Sequence, residues 1–337
     1  METIGLERID RQLVHALQLD GRASFRRLSE VLDVSEQTVA RRYRRLRTSG
    51  VLRVVGRTEA RRLGQVDWFT RVRCAPEAAG RVAEALARRP GISWVSLVSG
   101  GTEIVCVTRA RSRQEQDDLL LGKVPRTPRV ADVTAHCLLR TFYGGPTGWS
   151  GRTDSLAAHQ TERLTGSSGG TDGGGGRVAL DESDERLLAQ LALDGRISCA
   201  DLARTVGQPE STVRRRLEFL RRSGVLYFDV DIDSVHLGYE TEAFLWLTVT
   251  PARLAEVGTA LARHPEIAFA AATTGPTNIV ASVVCCDVGG LYDYLSERIG
   301  ALEGVRHVET APVIRSLKRA GTLMHGSLAA DRQGPRR

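Results

Sequence analysis

Apolar side chains recur at helical spacing at the start of the chain and predict three short helices. The first helix carries apolar residues at intervals of four: Ile9, Leu13 and Leu17. A second short helix follows Ser24, and a third begins after Ser35 and ends before Gly50. Three helices with a tight second turn are typical of a helix-turn-helix module.

The same pattern returns 174 residues later. Residues 10–52 and 184–226 are identical at 20 of 43 positions without a gap, which indicates an internal duplication. At the tight turn the first copy has Asp33 and the second has Gly207, which suits the left-handed backbone conformation. Pro209 is placed to open the third helix of the second copy at its first turn.

After each group of helices the pattern changes to short apolar runs that alternate with helices. In the first copy the runs include "FTRVRC", "ISWVSLVSG", "EIVCVT" and "VADVTAHCLLRTF". The helices are predicted at Glu77–Arg89 and near Gln114–Leu121, and in the second copy at Ala252–Arg263 and Gly289–Ile299. This order predicts a ferredoxin-like βαββαβ domain. The fold class is therefore α+β: two tandem copies of a winged-helix-like helix-turn-helix domain, each followed by a ferredoxin-like domain.

Changes in composition give the expected domain boundaries. Gly- and Ser-rich sequence favours a flexible linker between the halves, and the C-terminal residues favour a disordered basic tail. The six expected segments are helix-turn-helix domain 1 (1–58), ferredoxin-like domain 1 (62–143), the linker (144–177), helix-turn-helix domain 2 (178–232), ferredoxin-like domain 2 (236–320) and the tail (321–337).

Composition adds a formal net charge of +7, almost all of it from arginine, which favours a polyanionic partner. The six cysteines show no C-x-x-C spacing, and the seven histidines show no metal-ligand spacing. The start of the chain has no apolar signal core, and no run of 18 apolar residues occurs. We expect a cytoplasmic protein with no membrane partner, no metal and no cofactor.

The third helix carries the strongest chemical signal, because its outer face is rich in guanidinium groups. Arginine can pair with guanine edges or phosphates, and glutamine can read adenine. The residues predicted to contact DNA are Gln37, Thr38, Arg41, Arg42, Arg44 and Arg45 in the first copy, and Ser211, Thr212, Arg214, Arg215, Arg216 and Arg222 in the second.

The two third helices differ at positions that matter for recognition. Arg44 of the first copy corresponds to Glu218, and Arg45 corresponds to Phe219. Glu218 would repel phosphates but can accept from a cytosine amino group. Phe219 is compatible either with contact to a thymine methyl group or with packing on a neighbouring module. Unlike helices predict an asymmetric operator, with the first half contributing more of the affinity.

The ordered motifs resemble the Lrp/AsnC (feast/famine) family of transcription regulators. The resemblance is carried by "LDGRASFRRLSEVLDVSEQTVARRYRRLRTSGVL", by the Leu-Gly pair that precedes the second module and by "SGGTEIV", each with a counterpart in the second half. It implies binding to double-stranded DNA. It also implies that the two ferredoxin-like modules pair internally, so that the smallest unit is a pseudo-dimer. Such pseudo-dimers can assemble further into higher homo-oligomers.

The resemblance also implies a small-molecule effector, such as an amino acid, at the loop after the second strand of each ferredoxin-like module. The family pattern there is Gly followed three positions later by Asp or Asn. Glu103 departs from that pattern, and Pro276 removes a backbone donor beside its glycine. The effector residues carried over are Gly100, Thr102 and Glu103 in the first half and Gly275, Thr277 and Asn278 in the second.

Two other classes of protein compete with a regulator. Siroheme decarboxylases share the two-module layout and hold a tetrapyrrole with histidine- and arginine-bearing motifs. The corresponding stretches here, "LGQVDWFTRVRC" and "LGYETEAFLWLTV", contain no histidine. A scaffold that has lost DNA binding would have an eroded third helix; erosion is absent in the first copy and partial in the second. We therefore expect a regulator and not an enzyme.

Overall fold

The computed structural model describes residues 5–110, 114–115, 129–145, 155–165 and 176–324. The chain divides into two compact units, and each unit takes one module from each half of the sequence. One unit comprises residues 1–64 and 144–239, and the other comprises residues 65–143 and 240–337. No helix in the described ranges has both the length and the apolar composition needed to cross a bilayer.

The first unit contains two helix-turn-helix modules, each followed by one strand. The first module is built from α1 (Arg8–Leu19), α2 (Phe25–Leu32), α3 (Glu36–Thr48) and β1 (Leu52–Thr58). The linker contributes α5 (Ala158–Thr165). The second module is built from α6 (Glu182–Leu193), α7 (Cys199–Val206), α8 (Glu210–Arg222) and β6 (Leu226–Ile232). Each module buries its own leucine- and valine-rich core, as the apolar spacing predicts.

The helix ends confirm the predicted capping residues of the first copy. The hydroxyl of Ser35 accepts a hydrogen bond from the backbone N–H of Thr38 at 3.1 Å. Gly50 follows the end of α3 with φ 74°. Pro209 differs by one position from the prediction, because it occupies the N-cap of α8 and the helix begins at Glu210.

The tight turn inside each module has the left-handed backbone that the sequence predicts. Asp33 has φ 53° and Gly207 has φ 68°. Glycine adopts this conformation without a steric penalty. In an L-residue such as aspartate the Cβ atom comes close to the backbone carbonyl oxygen, which raises the energy of the turn.

β1 and β6 pair as a two-stranded antiparallel ribbon that joins the two modules. The register is symmetric, with Leu52 opposite Ile232 and Thr58 opposite Leu226. At the centre, Val55 lies opposite Asp229, its own counterpart in the duplication. A local pseudo-twofold axis therefore passes through the middle of the ribbon.

Two equivalent arginines, Arg22 and Arg196, add a reciprocal contact between the modules. Each one donates two hydrogen bonds to backbone carbonyl oxygens in the turn of the other module. The distances are 2.7 Å to Gly195 and 3.0 Å to Ile197 for Arg22, and 2.7 Å to Gly21 and 2.8 Å to Ala23 for Arg196.

The segment predicted as a flexible linker contains a docked helix, which corrects that expectation for residues 155–165. Leu156 and Leu164 of this segment are buried in the core of the first module. The last backbone carbonyls of α2 have no partner within that helix. Gln160 donates to the carbonyl of Val31 at 2.6 Å, and Arg163 donates to that of Glu30 at 3.0 Å. Of the remaining linker residues, 146–154 and 166–175 lie outside the described residues.

The second unit contains both ferredoxin-like modules, and the predicted βαββαβ order is confirmed within the described residues. The first module has β2 (Val66–Cys74), α4 (Pro76–Ala87), β3 (Ile92–Val98), β4 (Glu103–Ala110) and β5 (Val130–Tyr143). The second has β7 (Thr241–Val249), α9 (Leu254–Leu261), β8 (Ile267–Thr273), β9 (Ile279–Cys285), α10 (Val288–Asp293) and β10 (Val305–Arg319). The predicted helix near Gln114–Leu121 falls mostly outside the described residues.

Long strands join the two modules into one ring of antiparallel strands. β5 pairs with β2 of its own module and with β8 of the other, and β10 pairs in the same way with β7 and β3. An interior apolar cluster fills the ring, and it includes Phe69, Trp246 and Val280. Two further cores lie between helices and strands, one in each module.

Two details of the second module differ from the sequence prediction. The helix predicted at Gly289–Ile299 begins as α10 but continues as a π-helix over Tyr294–Ile299. The predicted disordered tail begins with a two-residue strand, β11 (Thr322–Leu323), which pairs with the end of β10. Residues 325–337 lie outside the described residues.

Candidate nucleic-acid interface and effector loops

The outer faces of α3 and α8 form the candidate nucleic-acid interface. Each of these helices buries one apolar face against the rest of its module, with Val39 and Leu46 inside in the first copy and Val213 and Leu220 in the second. The opposite faces are therefore fixed towards solvent. The exposed side chains there are Gln37, Arg41, Arg44, Arg45 and Thr48 on α3, and Ser211, Arg214, Arg215, Glu218, Phe219 and Arg222 on α8.

A buried aspartate, Asp10, forms ion pairs with two of the arginines that were predicted to contact DNA in the first copy. Its carboxylate is fully buried and accepts from Arg42 at 3.1 Å and from Arg45. Arg42 also donates to Glu7 at 2.8 Å, and only 17 % of its side chain is exposed. Arg42 therefore ties the third helix to the first and has little exposed surface.

The second copy repeats this arrangement with one partner fewer. Asp184, the counterpart of Asp10, is buried and accepts both hydrogen bonds of a bidentate pair from Arg216. Phe219 stands where the first copy has Arg45, and the guanidinium of Arg216 lies 4.7 Å from the centre of its ring. This contact gives Phe219 an intramolecular partner and leaves its side chain 38 % exposed.

The structure thus gives Arg42, Arg45 and Arg216 an ion-pair partner that the sequence did not predict, because a run of arginines does not show which members lie near a buried acid. Arg41 and Arg44 are exposed and form no ion pair within the described ranges. These two guanidiniums, with Gln37, remain as the surface that α3 presents. Thr38 is less exposed, and its hydroxyl lies 2.8 Å from that of Ser35.

On α8 the positive charge is largely offset by neighbouring acids. Arg214 donates to Glu210 at 2.7 Å, and Arg222 lies 3.9 Å from Glu218. Arg215 is exposed and has no ion pair within the described part of the chain. The remaining predicted residues, Ser211 and Thr212, lie at the first turn of the helix. α8 consequently presents fewer unpaired cations than α3.

The first predicted effector loop lies between β3 and β4 and borders an open cleft of about 760 Å³. Thr102 and Glu103 both line this cleft, whereas Gly100 supplies the turn with φ 70°. Glu103 is buried and pairs with Arg71 of β2. The cleft is also lined by Arg73 and Glu309.

The second predicted effector loop lies between β8 and β9, and its polar groups bond to the module itself. The side chain of Asn278 accepts from the N–H of Val249 at 2.8 Å and donates to its carbonyl at 2.7 Å. The carbonyl of Thr277 accepts from Thr273 at 3.1 Å. Gly275 has φ 109°, and a Cβ atom there would lie 2.4 Å from Nδ1 of His136. The two loops are therefore not equivalent.

Arg71, Arg73 and Glu309 were missed at the sequence level, although a signal for one of them was present. Arg71 aligns with Trp246 in the duplication, so an ionic residue in an apolar strand has an aromatic counterpart. In the structure Arg71 bonds to Glu103 and Glu309, and its guanidinium lies 4.0 Å from the centre of the Trp246 ring. Glu309 comes from the other half of the chain, and no spacing rule connects it to Arg71.

The fold and the exposed third helices define a duplicated helix-turn-helix protein with paired ferredoxin-like modules. Family models agree with this on both halves. The Lrp/AsnC ligand binding domain matches residues 67–147 and 242–323, the AsnC-type helix-turn-helix domain matches residues 6–47, and a winged helix-turn-helix DNA-binding model matches residues 180–227. The chain belongs to the Lrp/AsnC family.

Curated relatives align with less than half of this chain but with nearly all of their own length. An uncharacterized HTH-type transcriptional regulator of Pyrococcus abyssi is 35 % identical over 146 residues, which is 43 % of this chain and 92 % of the relative. The HTH-type transcriptional regulator FL11 of Pyrococcus horikoshii is 34 % identical over 143 residues, covering 42 % and 94 %.

Among solved structures, the siroheme decarboxylase NirDL covers 93 % of this chain and 93 % of its own, with a TM-score of 0.61. The sequence identity is 14 %, so the likeness shows the fold alone. It is a likeness of the whole duplicated architecture. In this chain His136 bonds to the carbonyl of Thr274 at 2.7 Å, and His264 bonds to Tyr294 at 3.0 Å.

The buried aspartate of the second copy gives a prediction for acid stability. Burial acts to raise the pKa of Asp184, but the hydrogen bonds from Arg216 and from the N–H of Asp181, with the charge of Arg216, outweigh burial and lower the pKa. A lowered folded-state pKa stabilises the fold above the unfolded value, and the contribution is lost as pH falls through the folded pKa.

We expect Asp184→Asn to lower the free energy of unfolding near neutral pH by about 3 kcal/mol, as for loss of one partner of a buried ion pair. The deficit should begin to shrink below about pH 4, where the unfolded chain binds a proton at Asp184, and it should disappear as pH falls through the lower folded-state pKa. Denaturant unfolding across a pH series measures both effects. Glu182→Gln removes an exposed carboxylate from the same first turn and is the control; it should cost less than about 1 kcal/mol, the contribution of an exposed acid at a helix N-terminus. An equal deficit at every pH would contradict the ion-pair assignment.

Proposed function

We propose that this chain is a sequence-specific DNA-binding regulator of transcription. The observation that carries the proposal is the pair of exposed third helices, which a ribbon and reciprocal arginines hold in one unit. Helix-turn-helix proteins place such a helix in the major groove, where arginine and glutamine read base edges. The family assignment and the names of the curated relatives support the same function.

An enzymatic role has only the fold likeness in its favour. The described histidines of the second unit that have partners bond to Thr274 and Tyr294. No cluster of three or more His, Cys, Asp or Glu side chains suited to a metal occurs among the described residues. The family assignment and the names of the curated relatives favour a regulator over an enzyme.

The arginines of α3 allow a direct test of DNA binding. We expect Arg41→Ala with Arg44→Ala to weaken binding and to reduce the slope of log K against log salt by about 0.9 for each phosphate that is no longer neutralised. Fluorescence anisotropy over a salt series with DNA fragments selected by the protein measures both quantities. Arg81→Ala is the matched control, because Arg81 is an exposed arginine on α4 of the other unit.

Arg42→Ala separates the two kinds of arginine on the same helix. It should lower stability, because it leaves the buried Asp10 short of a partner, and it should leave the salt slope unchanged when the protein is folded. An Arg41/Arg44 variant with unaltered affinity and slope would rule out the proposed surface.

The unlike third helices predict an asymmetric operator. Because α3 presents two unpaired arginines and α8 presents one, we expect Arg41→Ala to cost more affinity than Arg215→Ala. Footprinting should show each change weakening protection over a different half-site, with the larger effect for Arg41→Ala. Equal effects over a perfect palindrome would contradict this prediction.

We propose further that an amino-acid-like effector binds the cleft beside the first loop. Arg73 is exposed at the cleft and can pair with a carboxylate. The hydrogen bond from Arg71 lowers the pKa of Glu309, which therefore stays anionic and can accept an ammonium group. The loop of the second copy has its polar groups bonded internally, so the proposed stoichiometry is one effector per chain.

Calorimetric titration with a panel of L-α-amino acids tests this stoichiometry. We expect one site per chain for the amino acid that binds, and Arg73→Ala should weaken it at least about tenfold, since a charge-assisted pair contributes about 1.5–3 kcal/mol. Thr277→Ala in the second loop is the control and should leave the affinity unchanged. Two equal sites, or the same reduction in affinity for the two variants, would contradict the proposal.

A further inference from the structure

The two strands of the ribbon carry opposite charge, and one pair of these charges lies directly across the ribbon. β1 contributes Arg53 and Arg57, whereas β6 contributes Asp229 and Asp231. Arg53 lies opposite Asp231 in the register, and their side chains pair at 3.1 Å. Cross-strand pairs of opposite charge stabilise a sheet and like charges destabilise it.

The same register predicts what a ribbon between identical halves would contain. Position 53 pairs with the counterpart of position 57, so two first halves would place Arg53 opposite Arg57 twice. Two second halves would place Asp229 beside its own copy at the axis, where this chain has Val55. Burial already raises the pKa of Asp229, and the charge of Arg57 opposes that rise. In a pair of second halves Arg57 would be absent, and each Asp229 would face another carboxylate instead.

The ring of ferredoxin-like modules shows the same asymmetry at another pair of equivalent positions. Arg71 of the first half and Trp246 of the second are counterparts in the duplication, and they contact each other, with 4.0 Å from guanidinium to ring centre. The carboxylate of Glu309 accepts a hydrogen bond from the guanidinium of Arg71. The counterpart of Glu309 in the first half is Thr134.

Pairing of identical halves would disrupt this contact in both combinations. Two first halves would bring two Arg71 guanidiniums together inside the ring, with Thr134 in place of Glu309. Two second halves would bring two Trp246 side chains together and leave Glu309 without its arginine. In a pair of first halves each Arg71 would keep Glu103 but lose Glu309, and two guanidiniums of like charge would meet where the Arg71 side chain is 10 % exposed. Like charges brought together away from water are costly.

We propose that the two halves of this chain are specified for each other, so that each half binds the opposite half in preference to a copy of itself. The determinants are the oppositely charged ribbon strands and the Arg71–Trp246 contact. This preference of each half for the opposite half does not depend on which DNA or effector is bound.

The hydrogen bonds of Arg22 and Arg196 between the helix-turn-helix modules do not discriminate in this way. Arg22 and Arg196 are equivalent residues, and both bind backbone carbonyl oxygens that either half can offer. A pair of identical halves could form these bonds as well. The preference therefore depends on the positions where the duplication has diverged.

The experiment uses the full chain with a protease site inserted within residues 166–175. After cleavage the protein is unfolded in denaturant, refolded and examined by native mass spectrometry. We expect complexes of one N-terminal half with one C-terminal half. Random pairing, in which half of the complexes are homotypic, would overturn the proposal, as would halves that remain unpaired at micromolar concentration.

A charge reversal at the ribbon then tests the determinant itself. Arg53→Asp should raise the dissociation constant of the cut halves about tenfold, which corresponds to about 1.4 kcal/mol. It should also produce pairs of N-terminal halves, because the new carboxylate would face Arg57 of the second copy. Asp231→Arg on the same chain should restore heterotypic pairing.

Arg81→Asp reverses an exposed charge outside both interfaces and is the matched control. It should leave the heterotypic complex unchanged. The proposal fails if Arg81→Asp and Arg53→Asp act alike, or if Asp231→Arg does not rescue Arg53→Asp. The rescued double variant also shows that the single variant can fold.

Discussion

The antiparallel pairing of β1 with β6 is the interaction on which the arrangement of the DNA-facing unit depends. A two-stranded ribbon is marginally stable by itself. Here the helices of both modules cover it, and Arg22 and Arg196 tie the turn of each module to the other. The third helices are consequently held by a shared scaffold, and the buried aspartates fix each third helix to its own module. Loss of the ribbon would leave each module with its own core but without a fixed position relative to the other module.

Much of the fold could be predicted from the sequence because local signals and the global fold agree. Ser35, Asp33 and Gly207 have the predicted capping or turn conformations, since these depend on the backbone of a few neighbouring residues. The βαββαβ order also follows from local periodicity. The docked helix at Ala158–Thr165 was missed because eight mostly polar residues give a weak helical signal, and its stability comes from packing of Leu164 on a distant core.

The candidate sites were harder to predict than the fold, for a related physical reason. Arg41 and Arg42 are neighbours in sequence, yet one faces solvent and the other pairs with a buried acid on the first helix. Composition records the charge of both and does not record its partner. Similarly, Glu309 meets Arg71 only because β10 crosses from one module to the other. Such contacts follow from tertiary structure and have no local pattern.

Duplication within one chain removes a constraint that applies to a homodimer. In a homodimer each substitution appears twice, so a residue on the axis always meets itself. Here Val55 meets Asp229 and Arg71 meets Trp246, which no symmetric assembly permits. Fusion therefore allows the two copies to change independently, and the loops at residues 99–103 and 274–278 have done so.

The difference between α3 and α8 has a consequence for how the protein lies along a gene. A protein with two identical recognition helices binds its site equally well after a 180° rotation about its twofold axis, so the site does not fix its orientation along the DNA. A protein with unlike recognition helices binds in one direction, and inversion of the site turns the whole protein around. Such a regulator would present a defined side to the transcription start, and reversing the site alone would exchange the side that a neighbouring polymerase meets.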